Sequence, residues 1–278
     1  MDEFGQTTTV GELGAVADVP KAMSEYTGDK RLHMAYSFAL MHKQHDVAYI
    51  REQVEKIDEK CWANWALSNH DVMRVMSRWE LEDTPQAAVT LIALMTTLRG
   101  SSCLYQGEEL GLPEATVPYE ALQDPYGIEF WPEFKGRDGC RTPMVWSDAP
   151  DHGFGSLEAW LPHDSAQTPY AVSLQDKQFN STLNRVRRFL NWRKKQAVLR
   201  YGDMMFLEGY AKDLLVFERT LEQEKVRCIF NLSNQMHEII LQDNEQLLSV
   251  SGFEQLEEQL EKTQIQIAPW QAVFISIV

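Results

Sequence analysis

An α/β fold with a parallel sheet, followed by a smaller all-β domain, is what this chain predicts, and three observations carry the prediction. Through the first third of the chain, strand-like apolar runs alternate with helix-like ones, the pattern of successive βα units. Two of those runs end in polar clusters, Gly11-Glu12-Leu13-Gly14 and Ser68-Asn69-His70-Asp71, as strands do when they deliver side chains to a site at their carboxyl ends. After Gly202 the character changes to short apolar runs parted by polar turns. With 278 residues, 44% of them hydrophobic, the chain is long enough to bury substantial cores.

Residues 7–13 (TTTVGEL) are β-branched and finish beside a carboxylate, Glu12; they predict the first strand. Residues 33–40 (HMAYSFAL) predict the second. Val47, Ile50, Val54 and Ile57 share one face, so 47–57 predicts a helix. The third strand is 62–67, and 86–98 is an apolar helix rich in Ala, Leu and Thr. A short fourth strand, 101–105, runs into Gln106-Gly107-Glu108-Glu109-Leu110-Gly111. From 112 to 180 lies an irregular stretch full of Pro, Gly, Trp and Asp. A loop of that size is functional or disordered, and its many aromatic residues argue against disorder. Residues 183–196 form an amphipathic basic helix. Segments 214–217, 227–232, 239–241 and 272–275 then predict strands of an all-β appendix. The division is therefore 1–200 for the βα part and 201–278 for an antiparallel β domain.

A net charge of −15 excludes a polyanion such as nucleic acid as the natural partner and favours a neutral or cationic ligand. Eight Trp and nine Tyr could stack on sugar rings or simply fill cores. Cys61, Cys103, Cys140 and Cys228 stand far apart with no CxxC pair, which argues against structural zinc and fits a reducing compartment. No cofactor or metal is predicted. The start, Met1-Asp2-Glu3-Phe4-Gly5, has neither a basic nor an apolar leader segment, and no apolar run approaches membrane-spanning length. The expectation is a cytoplasmic protein with no membrane partner.

The stretch from Trp62 to Arg78 carries most of the chemistry. A carboxylate beside an imidazole, held at a strand end, suits hydrogen bonding to a polyol and stabilisation of positive charge. Taken alone, Asn69 or Asp71 is more simply read as the cap of a following helix. Three further clusters change the balance. They are Val10-Gly11-Glu12-Leu13-Gly14, Leu104-Tyr105-Gln106-Gly107-Glu108-Glu109-Leu110-Gly111-Leu112 and Gly136-Arg137-Asp138-Gly139-Cys140-Arg141-Thr142-Pro143-Met144. In this order and at these intervals the chain resembles the α-glucosidase branch, including oligo-1,6-glucosidases, of the α-amylase superfamily, glycoside hydrolase family thirteen. The segment from Leu122-Gln123-Asp124-Pro125 to Phe130-Trp131-Pro132-Glu133 is similar to the same branch.

The resemblance implies a (β/α)8 TIM barrel, of which this chain would be the C-terminal half, strands five to eight, followed by the small all-β domain. Glu12 takes the place of the general acid/base after strand five. His70 and Asp71, after strand seven, would hold the sugar in the −1 subsite, with Asp71 stabilising the transition state. Arg137 would contact the same glucose unit, Arg141 would be a buried ion-pair partner, and Glu114 falls where relatives place an acceptor-side residue. Retaining hydrolysis needs an acid and a nucleophilic carboxylate about 5–5.5 Å apart. The acid must stay protonated near neutrality, and Glu12, between Val10 and Leu13 and facing Asp71, has apolar and like-charged neighbours to that end.

The family's nucleophile, in an Arg-x-Asp motif upstream of the acid, has no counterpart here; the carboxylates before Glu12 are Asp2 and Glu3. The expected function is an exo-acting α-glucosidase on short α-glucosides, represented by a C-terminal portion that is inactive alone. The alternatives are a noncatalytic remnant or sugar-binding and assembly protein, and a transglucosidase or sucrose isomerase on the same scaffold. Four barrel strands leave two open edges, at 7–13 and 101–105, which predicts self-association or pairing with a complementing N-terminal half.

Overall fold

The computed structural model describes residues 5–13, 18–27, 31–81, 84–156 and 158–278. Asp2, Glu3 and Gly14, read in the sequence above, lie outside them. Four parallel strands form the first sheet: β1 (Val10–Glu12), β2 (Met34–Ser37), β3 (Ala63–Trp65) and β4 (Ser101–Ser102), in that spatial order. The register runs Glu12 to Tyr36, Tyr36 to Asn64 and Asn64 to Ser101, so the carboxyl ends of all four strands open on one side. The expected alternation is present. Each strand is shorter than its apolar run, and the expected fourth strand keeps only its first two residues before the backbone leaves the sheet.

Helix α1 (Val19–Tyr26) follows β1 and has no counterpart in the sequence reading, because its polar composition masks its period. Its start is nonetheless written in the sequence: Asp18 caps the amide of Lys21, and Pro20 stands in the first turn, where its missing N–H costs nothing. Helix α2 (Val47–Glu55) is capped by Asp46 and buries Ile50 and Val54, two of the four face residues expected. A short α3 (Val75–Arg78) precedes α4 (Pro85–Thr97). Every residue of α4 from Ala87 to Thr97 is buried, the signature of a helix apolar on all sides. Gly100 lets β4 leave α4 against β3. Its φ is +138°, and a Cβ there would stand 2.5 Å from the Ala63 carbonyl oxygen.

The long segment from 112 to 180 is folded, as its aromatic content implied. It carries α5 (Pro125–Glu129), α6 (Val172–Gln175) and three 3₁₀ segments, and it packs into two small apolar clusters, one shared with Leu110 and Leu183 and one around Leu122. Helices α7 (Thr182–Arg193) and α8 (Ala197–Tyr201) lead into seven further strands. These are β5 (Asp203–Phe206), β6 (Leu214–Leu221), β7 (Glu224–Asn231), β8 (His237–Ile240), β9 (Glu245–Leu247), β10 (Gln264–Ile267) and β11 (Ala272–Ile277). One antiparallel sheet has the order β5-β6-β7-β11-β9, and β10 pairs with β8 separately.

The two sheets share one apolar core that runs from Leu13 through α4 to Phe274. Polar groups tie the same junction. Thr90 donates to the Trp270 carbonyl at 2.7 Å, Arg193 Nε to Thr96 O at 2.7 Å, and Arg219, wholly buried, donates to the carbonyls of Thr97, Leu199 and Gly202. A guanidinium so enclosed persists because each donor meets a carbonyl. Among the described residues no helix is long and apolar enough to cross a membrane. The four cysteines are free thiols, three buried and Cys103 exposed.

Candidate active site

Strand β3 delivers Ser68-Asn69-His70-Asp71 into the space beyond the sheet's carboxyl end. Ser68 Oγ accepts the Val75 amide at 3.0 Å and Asn69 Oδ1 accepts the Asp71 amide at 2.8 Å, so the turn is closed by its own side chains. Asp71 is therefore free of the helix-capping role that its sequence context suggested. Its Oδ1 accepts Arg137 Nη1 at 3.0 Å and Arg141 Nη2 at 2.8 Å, while Oδ2 faces His70 Nε2 at 3.6 Å. The Asp71 side chain stays 38% exposed and that of His70 63%, so both remain open to a ligand.

Arg137 and Arg141 come from the loop between α5 and α6, and each has a second anchor. Arg141 Nε donates to the His70 carbonyl at 2.7 Å, and its ion pair is with Asp71; the side chain is half-buried, not buried as the resemblance implied. Arg137 pairs with Asp124 through Nε and Nη2, both at 2.9 Å. That pairing holds the Asp124 carboxyl down at about 2. The sequence reading assigned Asp124 no role; its spacing from Arg137 is a loop spacing with no period to reveal it.

Near this surface lies a second set of charged side chains, of which sequence reasoning singled out only Glu114. Arg74 is buried and gives Nη1 to Gln106 O at 2.6 Å, with its guanidinium over the Tyr105 ring at 5.2 Å. Arg78 donates to the carbonyls of Leu40, His42, Leu67 and Met73, stitching the ends of β2 and β3 together. Glu108 is enclosed near both arginines, accepts the Tyr105 amide at 3.0 Å, and has its carboxyl raised to about 7 by desolvation. Glu114 is raised to about 7 for the same reason, and its Oε2 accepts the Arg74 amide at 2.7 Å. Its Oε1 lies against Gly139, so close that an added Cβ there would collide with it.

Glu12 stands at the carboxyl end of β1, the edge strand, and is exposed. Leu13 is buried, but Val10 is half-exposed, so the apolar enclosure expected around Glu12 is not formed by the described residues. The physical reason is its place in the sheet: among the described residues β1 has a neighbour on one side only. The strand order puts Glu12 at the same end as His70 and Asp71, with β2 and its Tyr36 between. Glu12, Cys103 and Glu108 all act on the Tyr36 hydroxyl, which burial and these charges push well above its ordinary value. Among the described residues, no group of three or more His, Cys, Asp or Glu side chains is arranged to hold a metal.

Residues 5–202 match the family described as the alpha-amylase catalytic domain. The chain is 45% identical over 242 residues to a probable alpha-glucosidase of Rhizobium meliloti (strain 1021), covering 84% of this chain and 44% of that protein. It is 25% identical over 309 residues to an oligo-1,6-glucosidase of Parageobacillus thermoglucosidasius, covering 95% and 54%. Among solved structures, the alpha-glucosyl transfer enzyme XgtA superposes with a TM-score of 0.90 at 41% identity, covering 100% of this chain and 52% of that one. The chain spans about half the length of the relatives it matches.

Proposed function

This chain belongs to the alpha-amylase catalytic-domain family, and we propose that it is the part of a retaining α-glucosidase that supplies the general acid/base and the −1 subsite. Residues 1–200 are the C-terminal half of a (β/α)8 barrel and 201–278 its antiparallel β domain. Glu12 protonates the leaving glycosidic oxygen and then deprotonates the attacking water. Asp71 binds ring hydroxyls through the oxygen on the His70 side and binds them more tightly as the ring flattens and gains positive charge. His70 and Arg137 hold the same glucose unit. The nucleophilic carboxylate comes from the other half of the relatives' length, whose strands would pair with β1 and β4 and enclose Glu12. Short α-glucosides are the substrate class, and the free thiols fit a cytoplasmic setting.

The observation that carries this reading is the Asp71 carboxylate itself. One oxygen is gripped by two guanidiniums, the other is open beside His70, and the whole sits at the carboxyl end of a parallel sheet. The test is complementation. The N-terminal half of the Rhizobium meliloti relative, co-expressed with this chain, should restore hydrolysis of an aryl α-glucoside, and proton NMR should show the α-anomer released first. A complex that forms without hydrolysing the glucoside, or that releases the β-anomer first, would overturn the assignment.

A second reading has one observation in its favour. XgtA, an alpha-glucosyl transfer enzyme, is 41% identical over the whole of this chain. In that reading the complemented enzyme passes glucose to an acceptor other than water, and product analysis with added alcohols separates the two.

A further inference from the structure

We propose that Asp124 is a positioning residue for this site: its buried carboxylate fixes the Arg137 guanidinium against Asp71, so that the arginine meets the sugar already aligned. The proposal rests on the reading of Asp71 and Arg137 given above. Asp124 is 1% exposed and lies 53 residues from Asp71 in sequence, yet one side chain joins them. Arg137 gives Asp124 its backbone amide at 2.8 Å and its Nε at 2.9 Å, both to Oδ2, and its Nη2 at 2.9 Å to Oδ1. A planar guanidinium held along one edge by two parallel bonds has its remaining direction set, and here the remaining Nη1 points to Asp71 Oδ1 at 3.0 Å.

The surroundings lock this clasp from both sides. Asp124 is the N-cap of α5, and the Tyr126 ring of that helix lies under Arg137 with the guanidinium carbon 5.6 Å from its centroid. Asp138, next to Arg137 and fully buried, returns the grip: its Oδ2 accepts the amides of Gln123 at 2.6 Å and Asp124 at 2.8 Å. The two segments approach this closely because both positions facing each other are glycine. A Cβ on Gly127 would stand 2.7 Å from the Lys135 carbonyl oxygen, and Gly136 has a φ of +77°. Without Asp124, the full attraction of Arg137 would fall on Asp71 and compete with sugar hydroxyls for its carboxylate. With it, Arg137 is divided between a buried anchor and the exposed carboxylate, and its alignment costs no entropy when substrate arrives.

The test uses the chain itself with two readouts. By nitrogen-15 NMR at neutral pH, the Arg137 Nε–H should be slow to exchange with water in the wild type and in Asp71→Asn, and fast in Asp124→Asn. Titration with methyl α-D-glucopyranoside should then show Asp124→Asn weakening binding about tenfold, the worth of a lost charge-assisted bond. In the Arg137→Met background Asp124→Asn should add nothing, since Asp124 acts through Arg137. Additive losses together with a lowered melting temperature would mark Asp124 as merely structural and overturn the proposal. So would an Arg137 Nε–H that exchanges as fast as a free arginine in the wild type. A wild-type chain with a protected Arg137 Nε–H and no measurable sugar binding would instead count against the assignment of the site, leaving the clasp intact.

Discussion

The corner around Asp71 and the edge around Glu12 stand at the same end of one sheet and in opposite states. Asp71 is held by a turn with its own internal bonds and by two arginines with second anchors. Glu12 is exposed on an edge strand with Val10 half in solvent beside it. The difference follows from sheet order. β3 lies inside the sheet, and the 112–180 segment packs over its carboxyl end; β1 has one neighbour among the described residues. A site residue is preorganised only when the elements that surround it are present, and by that measure the Asp71 corner is braced by the described residues and Glu12 is not.

The comparison would break first at Glu12. In the complemented enzyme, Glu12→Gln should lower turnover by about 10²–10⁴-fold on a poor leaving group and far less on a nitrophenyl glucoside, which needs no protonation. Equal losses on both substrates would remove Glu12 from the acid role. Asp71→Asn should lower kcat by about 10²-fold or more while changing the affinity for glucose much less, because its interaction strengthens in the transition state. A defect confined to KM would contradict the transition-state role of the Asp71 corner.

The buried charged side chains give two smaller effects that sharpen the contrast without touching the chemistry. Arg78→Met leaves the carbonyls of Leu40, His42, Leu67 and Met73 without their donor and should cost about 3 kcal/mol or more in chemical denaturation, a loss that no substitution at exposed Glu12 should match. The pH dependence has two limbs. Glu108, raised from 4.5 to about 7, keeps a proton in the fold that the unfolded chain releases, so its contribution is full below about 4.5 and is lost as pH rises through 7. Asp124, lowered from 3.8 to about 2, contributes above 3.8 and loses that contribution as pH falls through 2. Melting temperatures should show Glu108→Gln gaining on the wild type from pH 5 to pH 8, by up to about 3 kcal/mol in stability. Asp124→Asn should lose its disadvantage at the acid end.

The parts of the fold legible in the sequence are those with local periods. β2, β3, α2 and α4 follow from apolar runs and helical spacing, and the change of character after Gly202 marks the antiparallel strands. α1 was hidden by its polar composition, although Asp18 and Pro20 signalled a helix start. β5 lacks β-branched residues, while the Gln264-Ile265-Gln266-Ile267 alternation of β10 was visible and passed over. In the site, Glu12, His70 and Asp71 stand out because they end strands. Asp124, Glu108 and Arg78 do not: their roles come from contacts 13 to 38 residues away in sequence or from burial, which a list of charged residues reads as surface. Family likeness placed Arg137 near Asp71; only the packed loop shows what holds it there.

The central claim is that this chain holds the acid and the sugar-binding carboxylate but not the nucleophile. Purified from a host lacking α-glucosidase and assayed with an aryl α-glucoside, the chain alone should release no phenol above the uncatalysed rate, because the sequence carries no Arg-x-Asp motif upstream of Glu12 to supply the carboxylate that forms the glycosyl intermediate. Robust turnover by the chain alone, abolished by Glu12→Gln, would contradict it.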